Sequence, residues 1–334
     1  MIADDTEARR LPPFQLRPNK FVDRMMFVDL IGCAVGERGA KNYAYISMGA
    51  TFLHDHHSVY RRIGIEKLFS FGRDADDIKR QMFNRPNDRM ICSQMDSSDL
   101  HMHLDELRDG GSVVIWLDFM SSKERRSQLQ QAEQILSRLD PGDLFRITLN
   151  AEYRKFGKYD ENEKKKYPNL AAMAADKLKR QIKEYLPSVL ESIEPRDLAP
   201  LLAGAVKMAA ERALKHRPEI KIVPVLATSY ADGDRMLTVT CAVRARTEGR
   251  LPDAYRNWKH ISKDWNKIQM IDVPDLSLRE KYFIDRRIKH SPVRIMSSLP
   301  FGPSDNILAM DMKAAVESYR LLHRYYPTFY NFDN

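Results

Sequence analysis

The sequence predicts an α/β protein: a doubly wound, mostly parallel sheet of seven strands, with a late antiparallel hairpin and a helical insertion. Three observations carry that expectation. Five short apolar runs alternate with helical patterns between Tyr43 and Leu149. One of them, Ser112–Leu117 (SVVIWL), is continuously apolar, as a strand buried on both faces must be. Two further β-rich runs flank Asp232-Gly233, a strong hairpin signal.

In chain order, residues 1–42 read as a lead-in ending in an amphipathic helix over Lys20–Ala34, with Gly36 just beyond it. Tyr43–Ile46 is the first strand, and Ser47-Met48-Gly49-Ala50-Thr51 is a small-residue turn. A helical pattern with apolar or aromatic side chains at Phe52, Val59, Tyr60 and Ile63 follows and closes at Gly64. Lys67–Phe71 is the second strand and Arg89–Gln94 the third, with a short helix, Ala75–Phe83, between them. Leu100–Leu107 is helical up to Gly110-Gly111, and the fourth strand then ends in Asp118. A helix over Glu124–Leu139 is broken by Pro141-Gly142, and Asp143–Leu149 is the fifth strand. Residues 168–216 read as an inserted helical pair, Leu170–Ile193 and Leu198–Leu214. Ile220–Ser229 and Arg235–Ala245 form the terminal hairpin. Residues 43–250 therefore form the sheet domain, and residues 251–334 a C-terminal helical extension with a last helix over Met310–Tyr325 and an aromatic tail.

If the strands are parallel, their C-terminal ends share one edge, which gathers Gly49, Asp74, Asp96 and Asp118 from distant parts of the chain. Each acid has a plain alternative as a helix cap.

The bulk numbers exclude several classes. The hydrophobic fraction of 43% and charged fraction of 30% are those of a globular chain. No apolar run approaches the roughly 20 residues that span a bilayer. The three cysteines, Cys33, Cys92 and Cys241, are far apart and fit a reducing cytoplasm. The net charge of +8 is mild for this length. Nine lysines and arginines between Lys155 and Lys183 read either as a solvated face or as a nucleic-acid-binding arm. His54-Asp55-His56-His57 invites a metal, but its spacing is incomplete without further ligands, and none is expected.

Three stretches carry a family likeness: Leu16–Met25 (LRPNKFVDRM), YISMGATFLHDHHSVYRRIGI from Tyr45, and VVIWLDFM from Val113. They resemble a bacterial family of putative O-methyltransferases, whose members carry a Y-x-G-F-G-S strand, an F-x-D-F helix start and a W-L-D-Y strand end. The likeness covers about residues 16–245 and implies a methyltransferase-like Rossmann sheet with S-adenosylmethionine as cofactor. Gly49 matches the second glycine, Asp55 the helix-start acid and Asp118 the strand-end acid. Ser47 stands where the first glycine is expected, and Gly72-Arg73 precedes Asp74 where an acid would directly follow the strand.

The expected cofactor-binding residues are Ser47, Gly49, Ala50, Asp55, Asp74 and Asp96. The expected catalytic residues are Asp118 and His54, the latter as a base toward the acceptor. The expected partners are an unidentified methyl acceptor, nucleic acid at the Lys-rich insertion and a second copy of the chain, with no membrane. The alternative is a Rossmann-like binding module whose cofactor site is degenerate and which engages nucleic acid or a protein.

Overall fold

The computed structural model describes residues 17–36, 38–186, 189–299 and 312–327. They divide into two compact units that interleave along the chain. The larger comprises Val28–Ala227 and Arg235–Ile268. The smaller takes in residues 17–27, 228–234, 269–299 and 312–327. Residues 251–268 thus pack with the sheet unit, while the rest of the expected C-terminal extension and the first half of the leading helix belong to the smaller one.

Among the described residues there are eight strands: β1 (Tyr43–Met48), β2 (Lys67–Gly72), β3 (Ile91–Gln94), β4 (Ser112–Asp118), β5 (Leu144–Asn150), β6 (Ile220–Asp232), β7 (Asp234–Ala245) and β8 (Gln269–Ile271). Their order is β3-β2-β1-β4-β5-β7-β6-β8. β1 pairs parallel with β2 and β4, β2 with β3, and β4 with β5, while β7 runs antiparallel to β5. The β6–β7 turn is made at Gly233, whose φ of 77° lies in the region that glycine reaches without a steric penalty. The seven expected strands are all found, and β8 is an addition. At three residues it is too short to show a sequence period, and it pairs with the far end of β6.

The two sheet faces differ in chemistry. One is apolar through its centre: Ile46, Phe71, Ile115, Leu117, Ile147, Val239 and Cys241 are buried in a single cluster with helices α4 (Leu100–Arg108), α5 (Arg125–Leu136), α6 (Leu170–Ile182) and α7 (Leu198–Ala213). Across the other face, the registers set Ser70, Ser47, Trp116, Arg146 and Thr240 in one row over five strands. All five are at most 2% exposed. Arg146 donates to Thr238 Oγ1 and Thr240 Oγ1 at 3.1 and 3.0 Å and stacks on Trp116, whose indole donates to Thr148 Oγ1 at 2.9 Å. Buried polar groups are tolerated here because they bond to one another.

The helical pair after β5 is part of the core. Ala174, Leu178, Leu202, Val206 and Ala209 are fully buried in the apolar cluster, and α5 packs on both α6 and α7. Small side chains in α7 (LAPLLAGAVKMAAERA) allow this close approach. Helix α6 is shorter than expected and stops at Lys183, whose φ is +42°. Within the Lys-rich stretch, Lys164, Lys177 and Arg180 pair with Glu161, Glu163 and Asp176. The leading helix, α1 (Pro18–Val35), is buried on nearly every side rather than amphipathic.

In the smaller unit, Tyr319 of helix α9 (Met312–Leu322) donates to Asp285 at the end of helix α8 (Leu278–Asp285), at 2.7 Å. Tyr326 donates to the Pro274 carbonyl and accepts from the Leu276 amide, both at 3.0 Å. The aromatic tail is therefore anchored in core at Tyr326, and its continuation from Thr328 lies outside the described residues. Among the described residues no helix is long and apolar enough to cross a membrane.

Candidate functional site

The parallel registers bring the C-terminal ends of β1 to β4 to one edge, as the strand order requires. Met48 stands beside Phe71, Gly72 beside Gln94, and Asp118 beside Thr148. Alternation from Trp116 places Asp118 on the polar face.

The turn after β1 is packed from below. A Cβ on Gly49 would overlap Ser70 Oγ and lie 2.7 Å from Leu53 Cδ2 and 3.2 Å from Gln81 Nε2. Gln81, on helix α3 (Ala75–Asn84), donates to the Gly49 carbonyl at 2.6 Å and accepts from Ser70 Oγ at 2.8 Å. Glycine is required here because protein atoms already fill the Cβ position. Leu53 is fully buried in the left-handed region, with φ 52° and ψ 34°. A bulky residue held there costs about 1–3 kcal/mol, which its burial and the surrounding contacts offset. The main chain from Met48 to Phe52 stays at the surface, with Ala50 exposed.

Ser47 and Asp55 lie beneath this turn, at 1% and 6% exposure. Asp55 Oδ2 accepts from Tyr45 at 2.8 Å and from Ser47 at 2.7 Å, and Oδ1 lies 3.4 Å from His56 Nδ1. His56 Nε2 meets the Phe69 carbonyl at 3.1 Å and so carries the hydrogen. His57 Nε2 reaches the Asn84 carbonyl at 2.8 Å, while His54, the first residue of helix α2 (His54–Ile63), lies against Phe52 with ring centres 5.6 Å apart. The three histidines thus take three different partners, and the described residues include no group of three metal-ligating side chains placed to share an ion.

At the end of β2, Asp74 caps α3: its Oδ1 accepts from the amides of Asp76 and Asp77 at 2.9 and 3.0 Å. Asp96, past β3, accepts from the Ser98 amide at 2.9 Å and from Arg73 Nε at 2.5 Å. Burial pushes the Asp96 carboxyl up, but the bonds from Ser98 and the Arg73 guanidinium outweigh it and hold the group below its usual range. Asp96 is therefore anionic at neutral pH, a suitable acceptor for ligand hydroxyls or amines.

Two residues at this edge had no sequence signal. Arg125, fully buried at the start of α5, donates through Nε and a terminal nitrogen to the Asn150 carbonyl at the end of β5, at 3.1 and 2.7 Å. It also bonds Gln181 and sits over the Phe156 ring. Burial pushes its guanidinium down to about 10, so it keeps its charge at neutral pH. Asn150 in turn donates to the Met120 carbonyl at 3.0 Å, which ties the loop after Asp118 to β5. An Arg in a polar helix start looks like any other in sequence; only the fold shows it buried.

With β7 reversed between β5 and β6 the sheet is otherwise doubly wound, and sheets of that class bind ligands outside the carboxyl ends of their strands. A fold alone does not settle an activity. The family model described as "Putative O-methyltransferase" matches residues 12–334, and the chain belongs to that family. No curated protein matches it. Similar solved structures include cofactor-bound Rv0187 from MTB, with 9% identity, 66% of this chain and 79% of that chain covered, and a TM-score of 0.37. The O-methyltransferase from Bacillus cereus in complex with SAH has 12% identity, 65% and 79% coverage, and a TM-score of 0.36. Trm1 from Pyrococcus horikoshii with S-adenosyl-L-methionine has 10% identity, 89% and 75% coverage, and a TM-score of 0.42. These likenesses are too distant to carry residue roles, which rest on this chain's own geometry.

Proposed function

We propose that the protein is an S-adenosylmethionine-dependent methyltransferase whose acceptor is still to be identified. The observation that carries this is the family match over residues 12–334. The donor set at the edge suits the cofactor on the β3–β4 side, where Asp96 and Asp118 offer half-buried carboxylates. On the β1 side the surface main chain from Met48 to Phe52, including Gly49 and Ala50, would approach the amino-acid part of the ligand. Ser47 and Asp55 would shape that turn from beneath, and Asp74 would fix the start of α3 beside it.

When bound, the cofactor supplies a methyl group on an electrophilic sulfonium. The protein's task is then mostly alignment, which supplies a large part of such rate enhancements. Asp118, on the polar face at the end of β4, would orient the acceptor, and His54 would receive its proton. Three free cysteines support a reducing, cytoplasmic setting.

A second reading, a binding module with a degenerate cofactor site, is favoured by one observation: Ser47, which stands where the first glycine of the turn is expected, is buried with its hydroxyl bonded to Asp55. Isothermal titration with S-adenosylmethionine and its demethylated product separates the two. Binding of both, weakened in Asp96→Asn, supports the enzyme. Absence of heat with folded protein at about millimolar ligand refutes it and leaves the binding module.

A further inference from the structure

A cavity of about 400 Å³ opens in the larger unit at the opposite edge of the sheet from the candidate cofactor site. Lys221 enters it from the start of β6 and Arg244 from the end of β7, which lies beside the start of β5. Arg250, Arg256 and Lys263 enter from the segment that follows β7, and Val223 and Leu251 give it apolar wall. Five of its eight lining residues are cations, and none is an acid.

Two carboxylates stand nearby. Glu248 forms an ion pair with Arg244, Oε2 to Nε 2.7 Å, and Asp253 pairs with Arg256. Lys221 bonds the Glu248 main-chain carbonyl, which carries no net charge. Arg250 and Lys263 are exposed and meet no carboxylate within ion-pair distance among the described residues. Three positive charges around one concavity are therefore uncompensated. Like charges gathered this way repel, and a concave wall with apolar patches focuses their field outward. A bound anion removes that cost. Guanidinium forks match phosphate oxygens in pairs, and the volume falls in the range of small-molecule sites. One phosphate monoester carries about −1.5 to −2 at neutral pH, less than the excess present.

We infer that this cavity binds a ligand bearing two or more phosphate groups. Its source is either a small polyphosphate or the backbone of a single-stranded polynucleotide. The site is separate from the cofactor edge, so it stands whether or not methyl transfer is found.

The test uses the full-length chain, inorganic tripolyphosphate by calorimetry and a labelled single-stranded RNA by fluorescence polarisation, between about 50 mM and 200 mM salt. The double variant Arg250→Ala, Lys263→Ala removes two exposed side chains without carboxylate partners and leaves the fold intact, as checked by circular dichroism. It is expected to weaken binding about tenfold or more at the lower salt. Lys165→Ala, Lys166→Ala, on the separate Lys-rich stretch, is expected to change nothing. Tripolyphosphate binding that follows this pattern supports a small polyphosphate ligand. RNA binding that follows it, and is displaced by tripolyphosphate, supports a polynucleotide. Binding of neither probe overturns the inference, as does binding that survives the first variant or is lost in the second.

Discussion

Replacing Gly49 by alanine separates two reasons for a glycine in the turn after β1. If the residue is small so that a ligand can approach, the variant folds normally and loses only ligand binding. The geometry points to the other reason. The added methyl would overlap Ser70 Oγ and press on Leu53 Cδ2 at 2.7 Å, both fully buried. Overpacking of a tight core costs about 1–3 kcal/mol. Displacing Ser70 also breaks its bond to Gln81, which strands a buried acceptor at a further cost of about 1 kcal/mol or more. The expected loss is about 2–4 kcal/mol, or roughly one to three orders of magnitude in the folding equilibrium. All three tryptophans (Trp116, Trp258 and Trp265) lie in the compact unit that holds Gly49, so urea unfolding followed by their emission reads that unit. Ser70→Ala removes the clashing oxygen. The double variant should therefore be less destabilised than the two single losses combined, with a coupling of about 1–2 kcal/mol. A Gly49→Ala protein within about 0.5 kcal/mol of the native one, or strict additivity in the cycle, would refute the packing account.

Three other outcomes are expected. Asp55→Ala removes the acceptor shared by Tyr45 and Ser47 and strands two buried hydroxyls, so a loss of about 2–4 kcal/mol should appear in the same unfolding assay, with faster amide exchange in β1. Arg125→Met leaves the Asn150 carbonyl and Gln181 without their donor; thermal scans should show destabilisation of about 2–4 kcal/mol, and limited proteolysis should find the loop after Asp118 opened. The Cys33 thiol is pushed up from 9.0 to about 11, by burial first and by Asp29 second. Its contribution to stability is therefore intact below pH 9 and lost as pH rises through about 11, because the unfolded thiol ionises first. Cys33→Ser should flatten that alkaline decline, and an equal slope in both proteins would contradict the assignment.

Local pattern was enough to find the sheet. Strand β4 is legible because a strand buried on both faces reads as a continuous apolar run, β1, β2 and β5 because they are short, largely apolar runs between helical patterns, and β6–β7 because Asp232-Gly233 suits one turn geometry. Membership of one parallel edge follows from order, so the gathering of Gly49, Asp74, Asp96 and Asp118 could be foreseen. What each residue does there could not. Asp74 caps a helix because two amides of α3 lie within reach, whereas Asp96 stays a half-buried anion because Arg73 crosses to it from the next strand end. Gly49 owes its identity to Ser70 and Gln81, which lie 21 and 32 residues further along the chain and meet only when β2 and α3 are in place. The helices after β5 look like a polar insertion when their lysines are counted. They are core because α7's small side chains let it pack on α5. The two compact units interleave through α1 and β6, and no composition shift marks that division. Sequence determines which segments are strands and helices, since that depends on near neighbours. The partners of each buried polar group, and with them the chemistry of the edge, are set by contacts between distant segments, which exist only in the folded chain.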